Sequence, residues 1–415
     1  MPHDSIPEVV VTGIGMISSL GVGRHESWLS AREGRSGAAP VTAFDTSDYG
    51  SKIACEAKGF DPLDFLDRKN VRRSDRACHL AVGAARLALD DAELTINGNS
   101  REVGAVIASG GGGHGIYEHH LDTLAERGPD RVSPLAVASS IINMPAGMVS
   151  MELGLQGPLS CPVTACASST HALGEGAHMI RRGAASAILA GGSEASIAPF
   201  IMAALDATRA LSRRNDEPGA ASRPFDADRD GFVLGEGAAV LVLESREHAE
   251  RRGAPIICTL AGYGASGDAH HLTEPAPDGS SQAAALRICL ERAGRGIDEV
   301  GYVNAHGTST PTGDPVEVGM LRSVFGDRAP DLPVSSTKSM HGHCMGAGGA
   351  LEAGLVAMTI GSGVIPPTIN LESTDPECTG VDHVTAARDA SVDLALSNSF
   401  GFGGHNAVIA LATAA

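Results

Sequence analysis

One cysteine and two histidines, each set among small residues, are the side chains of this sequence best suited to chemistry. Cys166 lies in Ser160-Cys161-Pro162-Val163-Thr164-Ala165-Cys166-Ala167-Ser168-Ser169-Thr170, ahead of Leu173, Ala177 and Ile180 at helical spacing. A thiol at a helix start meets unpaired N–H groups and the positive end of the dipole, which favour the thiolate. The same N–H groups can hold an oxyanion. Against this stands the common case of a single cysteine, a buried and inert thiol. His306 follows an apolar run in Val303-Asn304-Ala305-His306-Gly307-Thr308-Ser309-Thr310, one of 16 histidines. His343 closes Ser335-Ser336-Thr337-Lys338-Ser339-Met340-His341-Gly342-His343. The His341-x-His343 pair has no further ligands at zinc-like spacing, so no metal is expected. Ser397-Asn398-Ser399-Phe400-Gly401-Phe402-Gly403-Gly404-His405-Asn406 reads by itself as a hairpin loop. A nucleophilic cysteine needs oxyanion donors and groups that manage protons or charge. The cysteine, the two histidines and the glycine turn could converge as such a set; their spacing alone does not bring them together.

Two glycine motifs invite a nucleotide reading and fail it. Val9-Val10-Val11-Thr12-Gly13-Ile14-Gly15 is an apolar run entering glycines, but the next glycine is Gly21, which breaks the GxGxxG spacing. A first strand with a tight turn is expected instead. Ser109-Gly110-Gly111-Gly112-Gly113-His114-Gly115 lacks the lysine and hydroxyl of a phosphate loop. It is expected to be backbone pressed against something bulky.

The elements that must position these residues follow from alternation. Apolar runs at 8–12, 102–108, 186–190, 238–243, 256–263, 300–304, 332–335, 393–396 and 407–411 read as strands. Stretches 76–92 and 281–293 read as helices, and the succession is that of an α/β fold. The charged stretch 244–255 is the best internal boundary and divides the chain into 1–255 and 256–415. Direct repetition between the halves is weak. The 415 residues carry a net charge of −18, which argues against general affinity for nucleic acid or anionic membranes. Basic clusters at Arg68, Lys69, Arg72, Arg73 and at Arg209, Arg213, Arg214 stand out on that background. Met1–Ser5 shows no secretory signal, and no apolar run is long enough to span a bilayer. Eight scattered cysteines without a CxxC pair point to reduced thiols and a cytoplasmic protein.

The segments Thr164-Ala165-Cys166, Asn304-Ala305-His306-Gly307-Thr308, Lys338-Ser339-Met340-His341-Gly342-His343 and Asn398-Ser399-Phe400-Gly401-Phe402-Gly403-Gly404 resemble the β-ketoacyl-[acyl carrier protein] synthases, in particular the elongating synthase II type. Arg223-Pro224-Phe225-Asp226 and Arg229-Asp230-Gly231-Phe232 extend the likeness, which runs from about residue 8 to 411. The resemblance implies a thiolase fold: two similar halves in a duplicated five-layered α-β-α-β-α arrangement. It also implies a dimer of identical subunits or with a homologous chain-length factor, and no cofactor, since phosphopantetheine arrives on the acyl carrier protein. It makes Cys166 the acyl acceptor, with the N–H groups of Cys166 and Phe402 as the oxyanion hole. His306 and His343 would hydrogen-bond the malonyl thioester oxygen during decarboxylation, and Lys338 and Glu352 would hold that network in register. Thr273, Thr308 and Thr310 match positions that bind the pantetheine arm, while Phe400 belongs to the same site and Phe402 matches a mobile gate. Arg68, Lys69, Arg72 and Arg73 match the helix edge where relatives dock their acidic carrier, extended by Arg131 and Arg209.

The sequence also departs from the family pattern. His341 stands where relatives usually carry threonine, and its imidazole could perturb local titration or point outward. Gly111 takes the place of an isoleucine acyl gate, and Ala136 and Leu205 fall where bulky aromatics line the acyl pocket. Those gaps would leave room for a longer or stiffer chain unless Met144 or Met202 collapses into them. Asp206 is expected to face a partner subunit or a basic residue such as Arg209. A ketosynthase of a type II polyketide or polyene system is therefore the alternative to fatty acid synthesis. A non-catalytic chain-length factor would lack Cys166. A degradative thiolase would need a second cysteine in the 400–404 turn.

Overall fold

Strands covered on both faces are apolar along their whole length, and this is why the apolar runs of the sequence lack alternation. The computed structural model describes residues 7–414; the Met1–Ser5 segment, read above for a secretory signal, lies outside them. The main sheet contains β1 (Val9–Ser18), β2 (Val103–Ala108), β3 (Leu159–Ser160), β4 (Ala187–Glu194), β5 (Gly237–Ser245) and β6 (Cys258–Gly267). It continues with β7 (Tyr302–Asn304), β8 (Pro333–Ser335), β9 (Asp382–His383), β10 (Leu394–Gly401) and β11 (His405–Ala412). Their spatial order is β9-β8-β7-β10-β11-β6-β1-β5-β4-β2-β3.

That order contains the duplication that residue identity hides. From the seam outward, the first half runs first, fifth, fourth, second, third strand; the second half repeats it as β6, β11, β10, β7, β8. Directions repeat as well. β1–β5, β5–β4, β6–β11 and β11–β10 are antiparallel, and β4–β2, β2–β3, β10–β7 and β7–β8 are parallel. The halves join through β1 and β6, with Val10 opposite Thr259.

The helices that matter for the site are α1 (Arg68–Val71), α2 (Arg76–Asp91), α3 (His114–Arg127), α4 (Ser168–Arg181), α5 (Ser280–Ala293), α6 (Gly313–Phe325) and α7 (Gly348–Ser362). α2 covers one outer face against β1, β5 and β4, and α5 covers the other against β6 and β11. α4 and α7 pack on each other between the two half-sheets. This is the five-layered α-β-α-β-α arrangement of the thiolase fold. The middle layer supplies the largest core, with Leu173, Ala177 and Ile180 of α4 beside Leu351, Leu355 and Val356 of α7.

The expected turn at Gly13 and Gly15 is not one. β1 continues through both residues with a bulge between Val11 and Gly13. The glycines are there because α2 lies against the strand: a Cβ on Gly15 would fall 1.9 Å from the Ala84 carbonyl oxygen, and one on Gly13 2.3 Å from that of Ala88. The edge strands β3 and β9, two residues each, were absent from the sequence reading because so short a run has no period to detect.

Candidate active site

Cys166 sits on a strained turn. Ala165, a non-glycine residue, holds φ +50°, and Ala165–Ala167 form a single 3₁₀ turn leading directly into α4. That turn places the Cys166 thiol inward, where it is buried. The main-chain N–H groups of Phe402 and Cys166 lie close enough to Sγ to favour its thiolate. The hairpin between β10 and β11 approaches so closely because residue 401 is glycine: a Cβ there would lie 2.6 Å from the Thr164 carbonyl oxygen. Burial pushes the thiol up to about 12, against the pull of Lys338 and the two N–H groups.

His343 Nε2 lies 3.0 Å from Cys166 Sγ. The His306 ring stands edge-on to it, with centroids 5.5 Å apart, and against Phe400 at 5.7 Å. Burial first, then Lys338, holds both imidazoles well below their ordinary value, so both are neutral. Lys338 Nζ lies 3.4 Å from His306 Nδ1. An ammonium offers only hydrogens, so Nδ1 accepts and the ring proton sits on Nε2, ready to be donated. Lys338 also contacts Glu352, whose carboxyl is raised by burial to about 7. Glu317 of α6 completes the site. Its carboxylate accepts from the N–H groups of His306 (2.8 Å) and Gly307 (2.7 Å) and fixes the loop after β7. A lone glutamate eleven residues downstream carries no motif that would reveal it.

These groups form one end of a 340 Å³ cavity. Thr273, Thr308, Thr310, Phe400, Phe402 and Arg209 line it together with Cys166, His306 and His343. Lys338 and Glu352 lie behind the histidines. Gly111, Ala136 and Leu205 are not among its lining residues. Among the described residues no group of three or more His, Cys, Asp and Glu side chains forms a metal site. Buried oxygens without partners remain on Asn304, Glu352, Ser397 and Asn398, the donor type that suits a hard cation.

Other side chains occupy places the sequence did not assign. The gap at Gly111 is taken by neither Met144 nor Met202. A Cβ on Gly111 would fall 1.7 Å from Cε1 of His114, whose ring occupies that volume. The rest of the glycine run is pressed as expected, Gly112 against Ile142 and Gly113 against Ser139 and Asp75. His341 points inward, not outward: it is buried, bonds Thr337 Oγ1 through Nε2 at 3.1 Å, and is pushed by burial down to about 3. Asp206 faces a basic residue, as expected, but it is Arg213 at 3.0 Å and not Arg209, and its other oxygen accepts from the Gly50 N–H. Arg209 is left exposed at the cavity. Arg68, Lys69, Arg72, Arg73 and Arg131 are also exposed.

A thiol, two neutral imidazoles and two N–H donors at the end of a cavity, on a duplicated five-layered fold, define a condensing enzyme of the thiolase superfamily. Residues 7–249 match the Beta-ketoacyl synthase N-terminal domain and residues 257–372 the Beta-ketoacyl synthase C-terminal domain. The chain is 46% identical to the 3-oxoacyl-[acyl-carrier-protein] synthase 2 of Synechocystis sp. over 97% of both chains. It is 45% identical to that of Coxiella burnetii, over 97% of this chain and 98% of the other. Among solved structures, the ishigamide ketosynthase/chain length factor superimposes with a TM-score of 0.92 at 35% identity, covering 99% of this chain and 100% of that one. A beta-ketoacyl synthase from Burkholderia phymatum gives 0.92 at 34%, with the same coverage. The chain belongs to the β-ketoacyl synthase family, and within it to the synthase II type.

Proposed function

We propose that this protein joins an acyl group held on Cys166 to malonyl-[acyl carrier protein], releasing carbon dioxide and β-ketoacyl carrier, in fatty acid synthesis. The observation that carries the reading is the Cys166 sulfur, 3.0 Å from His343 Nε2 and faced by two N–H groups at the end of the cavity. In the first half-reaction the thiol proton passes to His343 as sulfur attacks the acyl thioester. The oxyanion collects the N–H bonds of Cys166 and Phe402, and the carrier thiolate leaves and takes a proton from solvent, so that His343 keeps the one on Nε2. In the second, Nε2–H donors of His306 and His343 hold the malonyl thioester oxygen while the C–CO₂ bond breaks. The enolate carbon then attacks the acyl carbonyl, and the Cys166 thiolate is released and takes its proton back from His343. Lys338 supports this by keeping the His306 proton on Nε2. Thr273, Thr308 and Thr310 line the cavity where a pantetheine arm would pass, and Phe402 would move to admit it. The phosphopantetheine belongs to the substrate, and the reading calls for no cofactor of the enzyme.

The acyl carrier protein is the partner we assign to the exposed Arg68, Lys69, Arg72 and Arg73, extended by Arg131 and Arg209. The first four form no ion pair among the described residues, which separates them from a salt-bridged solvated face. A second copy of the chain is the other partner. β3 ends the sheet with an open edge, and Leu159, Met151 and Val163 around it are exposed, a combination that isolated subunits avoid. A homologous chain-length factor could occupy the same edge. The polyketide or polyene alternative has weaker support, since the likeness to synthase 2 proteins exceeds that to the solved polyketide ketosynthases. We read the halves as 1–255, with the nucleophile, and 256–415, with both histidines. Eight free cysteines support the cytoplasm as location. Cys166→Ala tests the assignment. It should abolish the mass increment left by an acyl-carrier substrate, together with condensation; normal acylation of the variant would refute the reading.

A further inference from the structure

The glycine run after β2 and the loop after His343 meet on one carboxylate that the reaction described above does not use. Glu194, at the end of β4, is completely buried. Its Oε2 accepts from the N–H groups of Gly110 (2.7 Å) and Gly346 (3.0 Å), and its Oε1 from the Gly111 N–H (3.2 Å) and the Ser109 hydroxyl (3.1 Å). All four partners are neutral donors. The crowding is severe: a Cβ on Gly346 would lie 2.3 Å from the Gly110 nitrogen, and one on Gly110 2.9 Å from Glu194 Oε2 and 3.7 Å from the Ala165 carbonyl oxygen. The cluster therefore packs directly beside the turn that carries Cys166. Three main-chain N–H groups cannot rotate away, and with the Ser109 hydroxyl they favour the anion against burial, which raises the carboxyl above its usual range.

We propose that Glu194 is a positioning residue for the condensation. Its carboxylate fastens the glycine run to the loop that follows His343, and its negative charge, packed beside the turn that carries Cys166, adds to burial in opposing the thiolate there. The titratable and charged groups around that sulfur are His343, His306, Lys338 with its partner Glu352, and Glu194. Lys338 favours the thiolate and Glu194 opposes it. The inference rests on Cys166 being the nucleophile.

Two variants separate the charge from the link. In Glu194→Gln, the amide oxygen can take the place of Oε2 and keep Gly110 joined to Gly346, while the amide nitrogen in place of Oε1 donates to the Ser109 hydroxyl and leaves the Gly111 N–H without its acceptor. The charge is lost and the link is kept. In Glu194→Ala both are lost. The assay is the pH dependence of Cys166 alkylation by iodoacetamide, with the adduct located by peptide mass, alongside condensation of carrier-bound substrates. Glu194→Gln should move the alkylation profile to lower pH by about half a unit or more, a rate increase of about threefold below the midpoint. It should condense within a few-fold of the parent. Glu194→Ala should lose about 10² in condensation, the scale of a misplaced catalytic group. An unchanged alkylation profile in Glu194→Gln overturns the proposal, as does parent-rate condensation by Glu194→Ala. If Glu194→Ala does not fold, the Glu194→Gln profile decides alone. The parent enzyme is the separate control: Cys166 alkylated without loss of condensation would refute the nucleophile assignment itself.

Discussion

Position 111 offers a test in which geometry sets the sign before any substrate is added. An isoleucine there begins with a Cβ 1.7 Å from His114 Cε1, 2.4 Å from Nε2 and 2.6 Å from Nδ1. To restore ordinary contact the ring must retreat by about 2 Å. No hydrogen bond holds the buried Nδ1 in place, so the cost is one of packing. Overpacking of this kind costs about 1–3 kcal/mol. His114→Ala empties the same volume, so in Gly111→Ile/His114→Ala the new side chain fills the space the ring leaves. The two changes should couple favourably by about 1–3 kcal/mol, within the range for contacting residues. Urea unfolding of the parent, both single variants and the double variant measures this directly. Additivity to within about 0.5 kcal/mol would refute the claim that His114 stands in for a side chain at 111. The same four proteins, given carrier-bound acyl chains of graded length and unsaturation in competition, test the acyl-wall reading. His114→Ala, which empties the volume, should favour long or rigid chains selectively, and the double variant, which refills it, should return to the parent's preference. An equal effect of His114→Ala on every chain would remove position 111 from that wall.

His306→Ala and His343→Ala should each retain self-acylation measurable by mass while condensation falls about 10²–10³-fold, the usual cost of one lost oxyanion donor; parent-rate condensation by both would refute the shared role. Charge reversal at Arg72→Glu/Arg73→Glu should raise KM for carrier-bound acyl groups and leave acylation by a small soluble thioester unchanged, because only the first substrate is steered by charge. An equal loss with both would indicate structural damage. His341 is neutral in the fold down to about pH 3, whereas an unfolded histidine protonates near 6.5. Between those values the unfolded chain binds the extra proton, so this residue withdraws stability as pH falls below about 6.5. His341→Thr should therefore condense within a few-fold of the parent yet lose less stability between pH 7 and 5. A parent-minus-variant difference in urea stability that stays constant over that range would refute the buried, neutral state.

Local patterns in the sequence were enough for the strand runs, the helices α2 and α5, the hairpin that carries Phe400 and Phe402, and the placing of Cys166 at a helix start. Each depends on neighbours a few residues away, through side-chain period, turn chemistry or the free N–H groups of a first helical turn. The family motifs extended this to the proposed catalytic set, since four short segments in order carry the resemblance. Tertiary structure decided what depends on distant pairs. Cys166 and His343 are 177 residues apart and meet because the two halves repeat one strand order around a shared middle layer. Gly13 and Gly15 read as a turn until α2 is laid against β1, and only then do Ala84 and Ala88 explain them. Gly111 read as an opening until His114 folded back over it, and Asp206 chose Arg213 over a nearer basic residue in sequence. Glu194 and Glu317 gave no signal at all. A buried carboxylate is specified by the N–H groups it satisfies, and those come from loops 84 and 152 residues away for Glu194 and from the loop between β7 and α6 for Glu317. Periodicity records which face of an element is covered; only the folded chain determines which atoms cover it.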